Sequence, residues 1–258
     1  MEVCVLASGS KGNCIYVSGG GTSVLVDAGI SAREMVARMS AAGIAPESIQ
    51  AVLFTHDHVD HFRGIEVFSR KYPVRLFANE GTAAGIELGC PKLVCEWDIF
   101  ETSSSFDIGG LRVEAFTVPH DAADPVGFVF DDGASRLCLA TDIGQAPPLI
   151  CSKLAQCHAA ILESNHDYDM LMQSQRPWPL KTRIAGRSGH LSNDDAAALM
   201  CAALSARLHT LMLAHLSEEC NTPALALNTM RLALRAAGRE DVRVEALSQA
   251  QASARLVF

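Results

Sequence analysis

The chain has 258 residues, 49% of them apolar and 19% charged, with a formal net charge of −8. This length suits one large domain or two small ones, and the composition provides ample core. The sequence has no run of eighteen apolar residues, which excludes an apolar transmembrane helix, and its acidity argues against gripping nucleic acid through bulk positive charge.

Residues 1–6 enter a strand pattern at once, without the basic and long apolar stretches of a secretory signal, so a cytoplasmic location and no membrane partner are expected. Nine cysteines, an odd number with no C-x-x-C spacing, read as reduced thiols. A strand over 3–6 is followed by the polar loop Ser8-Gly9-Ser10-Lys11-Gly12-Asn13. Strands over 14–18 and 23–26 form a hairpin across Gly19-Gly20-Gly21. Ser31 with Glu34 marks a capping box for a helix to about residue 42, with Met35, Val36 and Met39 at helical spacing. A buried strand is expected over 51–54, a helix over 62–71, a strand over 75–78 and a helix from Asn79 to about 88. Strands follow over 111–118, 126–131 and 136–140, then a helix over 148–156 and a strand over 159–162. Ser192 with Asp195 caps a helix to about 204. A strand over 209–214, a helix opened by Thr222-Pro223, and strands over 242–246 and 254–258 complete the chain. Two successive β-rich blocks with helices suit a four-layer α/β/β/α sandwich forming one domain over 1–258.

Thr55-His56-Asp57-His58-Val59-Asp60-His61 holds three histidines and two aspartates in seven residues. It follows an apolar strand, where a loop can aim side chains at a point. No packing argument calls for so many imidazoles and carboxylates, whereas zinc and similar divalent ions take both as ligands. His56 and His58 alternate along an extended segment and can face one ion; Asp60 and His61 lie a turn later and can face a neighbour. His120, Asp142 and His215 each stand just past a later apolar strand. All would converge if the strand ends share one edge.

These motifs, together with Asp27, occur in the order found in the metallo-β-lactamase superfamily of metal hydrolases, which the chain resembles over nearly its whole length. The resemblance implies one metal site of His56, His58 and His120 and a second of Asp60, His61 and His215, bridged by Asp142. Asp27 would bond the metal loop from behind. Two divalent ions are thus expected, with zinc foremost and manganese as the alternative. Aspartate at position 142, where true β-lactamases of this fold use cysteine, points to phosphodiesters or thioesters and to a metal-bridging hydroxide as nucleophile.

Gly189-His190-Leu191-Ser192 resembles the substrate-phosphate motif of the nuclease branch. The stretch 176–190 carries Arg176, Lys181, Arg183 and Arg187 without an acidic residue, so His190, Ser192 and Arg187 are expected to meet a phosphate. Lys11, in its glycine loop, is a further phosphate-binding candidate. With Glu163-Ser164-Asn165-His166-Asp167 and Ala214-His215-Leu216-Ser217-Glu218, these motifs resemble the YycJ (WalJ) subgroup, compact bacterial proteins described as 5′-to-3′ DNA exonucleases. The resemblance implies a phosphodiesterase acting on DNA, with Asp60, Asp142 and His190 in catalytic roles. Two alternatives stay open. One is a hydrolase of thioesters or small cyclic phosphodiesters; the other is a non-catalytic regulatory protein on this fold, which would be expected to lack ligands that are all present here.

Overall fold

Two glycines with positive φ, Gly20 (56°) and Gly21 (76°), reverse the chain between β2 (Cys14–Gly19) and β3 (Thr22–Val26). Paired left-handed residues give the two-residue turn whose twist matches a hairpin. In the computed structural model, which describes residues 1–258, this hairpin lies within a sheet of seven strands. The order is the terminal strand Leu256–Val257, β1 (Glu2–Ala7), β2, β3, β4 (Ala51–Leu53), β5 (Arg75–Ala78) and β6 (Trp97–Ile99). The strands up to β3 are antiparallel, and those from β3 to β6 are parallel. The parallel strands are linked by helices α1 (Ala32–Ala41), α2 (Val59–Phe62), α3 (Ile65–Lys71) and α4 (Glu80–Gly89). Met35, Met39, Ile65, Phe68 and Ile86 from these helices are fully buried in one cluster with Leu6, Leu25, Val52 and Phe54. Each such side chain stabilises the unit by roughly 1.5–3 kcal/mol. An antiparallel meander, β7 (Ser105–Ile108), β8 (Leu111–Thr117) and β9 (Val126–Asp131), completes the unit of Met1–Thr117, Ala122–Ala134 and Ser248–Phe258.

The second unit comprises Val118–Asp121 and Ser135–Leu247. Its strands β10 (Arg136–Ala140), β11 (Ala159–Glu163), β12 (Thr210–Ala214) and β13 (Arg243–Ala246) are all parallel. β11 and β12 are buried along their whole length, the pattern of parallel strands covered on both faces. Helices α5 (Pro148–Leu154), α6 (Tyr168–Gln173), α7 (Trp178–Ile184), α8 (Asn193–Ala203) and α9 (Pro223–Ala236) accompany them. Because the strands run one way, Asp142, Glu163 and His215 emerge at the same edge, where parallel sheets bind ligands.

The helix expected over 62–71 starts earlier and is broken. α2 begins at Val59, so Asp60 and His61 sit in a helical turn with His58 as its N-cap, rather than on an open loop. Gly64 interrupts it: its N–H donates to Ala28 O at 2.7 Å, and a Cβ there would stand 2.1 Å from Ile30 O. β6, β7, α6 and α7 lie in segments where no element is expected from the sequence. They are short, and their residues are largely half-buried or exposed, so no apolar period announces them.

Candidate metal centre

Each unit gathers its own cluster of candidate ligands. In the first, β3 ends in Asp27 and β4 leads through Phe54 to Thr55, so two parallel strands deliver a carboxylate and a histidine-rich segment side by side. Asp27 accepts hydrogen bonds from Thr55 N (2.9 Å), Thr55 Oγ1 (3.0 Å) and His61 Nδ1 (2.8 Å). The single Thr55 hydroxyl proton goes to that carboxylate, so its oxygen accepts from His56 Nδ1 at 3.0 Å. Both rings are thereby held with Nδ1 protonated and Nε2 carrying the lone pair that a metal needs. The ring centroids of His56 and His58 are 4.6 Å apart, and those of His56 and His61 4.0 Å. Asp60 Oδ2 stands 3.8 Å from His61 Nε2. Burial pushes the Asp27 carboxyl above its ordinary range, against the pull of His61 and Thr55.

Backbone contacts clamp this segment in place. Asn13 N donates to Asp60 O at 2.8 Å, Ala28 N to His61 O at 2.7 Å, and Gly29 N to Asn13 O at 2.8 Å. A Cβ on Gly29 would lie 1.6 Å from Asp60 O, so only glycine admits this approach. The Asn13 side chain also donates to His61 Nε2 at 3.0 Å, on the atom that the family resemblance gives to a metal.

In the second unit the organiser is Glu163, the last residue of β11. Its Oε1 accepts from His190 Nδ1 at 2.8 Å and His215 Nδ1 at 3.0 Å; its Oε2 accepts from Ile143 N at 2.7 Å and Leu191 N at 3.2 Å. Burial alone would raise this carboxyl, but the His190 charge and the two imidazole donors override it and hold it down at about 2. Glu163 is therefore an anion that only accepts, which fixes Nδ1–H on His190 and His215. His120 is anchored in the same sense, donating from Nδ1 to Gly189 O at 3.1 Å, and burial lowers its pKa, which favours the neutral form that coordination requires. Asp142 Oδ1 lies 3.6 Å from His215 Nδ1, 3.8 Å from His190 Nδ1 and 3.9 Å from His120 Nε2. Asp142, Glu163, His190 and His215 place their candidate atoms within 4.8 Å of one another.

Asp27 (φ 62°), Asp142 (57°) and His215 (55°) are three of the four non-glycine residues in the left-handed region. Each stands just past the end of a strand, where the sharp backbone turn re-aims the side chain. This conformation costs an L-residue on the order of 1 kcal/mol, and such strain collects at functional sites.

The substrate-side candidates fare differently. His190 is one-fifth exposed and tied to Glu163. The Ser192 hydroxyl is engaged on both sides, accepting from Asp195 N (3.0 Å) and donating to Asp195 Oδ2 (2.7 Å). Asp194 and Asp195 stand in the first turn of α8, beside that cap. The basic stretch is also largely neutralised. Arg176 pairs with Glu219 (2.8 Å), Arg183 with Asp121 (2.6 Å), and buried Lys181 donates to Met172 O (2.5 Å). Arg187 and Lys11 remain exposed.

Sequence reasoning gave no role to Glu163, Thr55 or a ligand-facing Asn13. Glu163 carries the same mark as the candidates that were found, a polar residue ending an apolar strand. Thr55 and Asn13 have only neutral side chains, and nothing in their spacing shows where their hydrogen bonds go.

The donor sets suit a divalent ion of the zinc type: imidazoles oriented through Nδ1, and carboxylates beside them. The model of the beta-lactamase superfamily domain matches residues 22–215. The chain is 35% identical over 227 residues to exodeoxyribonuclease YycJ of Bacillus anthracis, covering 88% of this chain and 86% of that protein. It is 36% identical over 231 residues to exodeoxyribonuclease WalJ of Streptococcus pneumoniae, covering 88% and 85%. The solved structure of Zn2+-bound PqqB from Methylobacterium extorquens aligns with a TM-score of 0.73 at 18% identity, covering 100% of both chains. The metallo-β-lactamase fold protein YhfI from Bacillus subtilis gives 0.72 at 15% identity over 98% of each. These likenesses show the fold, the αββα class expected from the sequence. The matched family model and the two relatives establish that the chain belongs to the metallo-β-lactamase superfamily, as a metal-dependent hydrolase of its YycJ/WalJ subgroup.

Proposed function

We propose that the chain is a two-metal phosphodiesterase that removes nucleotides from a 5′ end of DNA. The observation that carries this reading is the 35–36% identity to proteins named exodeoxyribonucleases, spread over 85–86% of their length. His56, His58 and His120 would hold one ion and Asp60, His61 and His215 the other, with Asp142 available to both. Divalent ions bound there would supply a water of lowered pKa and charge neutralisation at phosphorus.

The chain's own groups do the rest. Glu163 and Asp27 keep the histidine rings in one tautomer and one orientation. His190, tethered through Nδ1 to the Glu163 anion, is the side chain that meets a phosphoryl oxygen. Asp60 or Asp142 accepts the proton of the attacking water. Arg187 and Lys11 supply exposed positive charge for the strand.

The test is release of label from end-labelled single-stranded DNA with zinc or manganese, alongside acyl-glutathione thioesters and cyclic nucleotides. Nucleotide release from the 5′ label first, abolished in Asp142→Ala, is the expected result. Activity retained in that variant at unchanged metal content would sink the mechanism. Turnover of a thioester or a cyclic nucleotide but not of DNA would replace the substrate.

A further inference from the structure

Most large apolar side chains of the second unit are buried, but two aromatic rings are not. Tyr168 is 53% exposed and Trp178 65% exposed. Each is the first residue of a short helix, Tyr168 of α6 and Trp178 of α7. Neither side chain has an aromatic or hydrogen-bonding partner in the fold. Their backbones are nevertheless fixed. Asp167 caps α6 by accepting from Met170 N at 2.9 Å. Trp178 stands between Pro177 and Pro179, whose rings lock the local φ angles. Beneath them α6 and α7 share an apolar contact, with Leu171 and Ile184 buried and Met170, Met172 and Leu180 packed against them.

Both helices lead directly into the hydrolytic cluster. Tyr168 follows Glu163 by five residues, a span of at most about 18 Å even if fully extended. α7 has seven residues and rises about 10 Å. At its far end Ile184 O accepts from His190 N at 2.8 Å, so Trp178 stands one short helix from His190. Arg187, exposed and paired with no acidic residue, lies on the turn between them. Exposed aromatic faces and an exposed guanidinium at the two ends of one short helix match one kind of ligand, a flexible strand bearing π-faces and phosphates. Nucleobases stack on such rings whatever their identity.

We infer that Trp178 and Tyr168 form a stacking platform for the bases of a single strand next to the site of hydrolysis, with Arg187 meeting its phosphates. This rests on the proposed nuclease activity but concerns residues outside the hydrolytic cluster.

The test uses the metal-loaded full chain. Trp178→Ala is expected to raise KM for an oligothymidylate roughly five- to a hundredfold, the range for losing one base–aromatic stack. Turnover of bis(p-nitrophenyl) phosphate, too small to span from the cluster to Trp178, stays unchanged and reports that the variant is folded. Trp178→Phe restores most of the loss, and Tyr168→Ala with Trp178→Ala compounds it. Independently, a phosphorothioate oligothymidylate that resists hydrolysis should quench the tryptophan fluorescence of the parent and not that of Trp178→Phe. An unchanged KM in Trp178→Ala, or no difference in quenching, overturns the platform. If the parent cleaves bis(p-nitrophenyl) phosphate but no DNA, the nuclease reading fails, and the quenching experiment alone then decides whether a strand binds here.

Discussion

Glu163 holds His190 by a 2.8 Å hydrogen bond from Nδ1 to Oε1, and the same carboxylate orients His215 at 3.0 Å. One buried anion therefore sets the tautomer of two imidazoles with different expected tasks. Glu163→Gln keeps the size but replaces one acceptor oxygen by a donor. It is expected to lower kcat/KM about 10- to 100-fold, the usual effect of removing a group that orients a ligand. Metal content by mass spectrometry and kcat/KM on bis(p-nitrophenyl) phosphate check this.

The same residue predicts an acid limb of stability. Its folded pKa, held at about 2, lies below the ordinary value of 4.5. A depressed carboxyl binds fewer protons folded than unfolded, so its stabilisation is present above about pH 4.5. It is lost progressively as pH falls toward 2. Urea unfolding of the parent and Glu163→Gln between pH 2 and 7 should show a parent advantage at neutral pH that shrinks through this window. A constant difference would contradict the assignment.

Asp27 acts through Thr55 and His61, without itself being expected to touch a metal. Asp27→Ala frees both rings of the first cluster to rotate. Metal affinity measured by competition with a chelator is expected to fall 10- to 100-fold. Asp27→Asn should lose less, because the amide oxygen still accepts two of the three bonds.

Gly29→Ala tests the clamp on Asp60 directly. A methyl group cannot share space with Asp60 O at 1.6 Å, so the segment after His58 must move. Loss of most activity is expected, with a destabilisation of about 1–3 kcal/mol, typical of forced overpacking. Thermal melting and activity on the small phosphodiester read the two effects separately.

Much of this was legible in the residues themselves. The hairpin, the capped helices α1, α4, α8 and α9 and nearly every buried strand follow from apolar runs bounded by glycine, serine, threonine or proline, because those residues punctuate by backbone chemistry. The histidine-rich segment was equally plain, since few purposes other than a metal assemble such side chains. What stayed hidden was relational. Nothing in the spacing of Glu163 reveals that two imidazoles 27 and 52 positions away donate to it. Arg176 and Arg183 read as a positive patch until their acidic partners, Glu219 and Asp121, are brought in from 43 and 62 positions away. Ser192 announced its cap, and its hydroxyl does bond Asp195 on both sides.

The left-handed turns at Asp27, Asp142 and His215 bear on how this chain can change over time. At each of them glycine would relax the backbone, so a population selected only to fold well would drift toward losing these side chains. The residues that work against folding can persist only while the reaction is itself under selection. Variants recovered by screening for heat resistance alone should therefore be enriched in substitutions here that are folded and inert. The same screen run with activity should leave all three positions untouched.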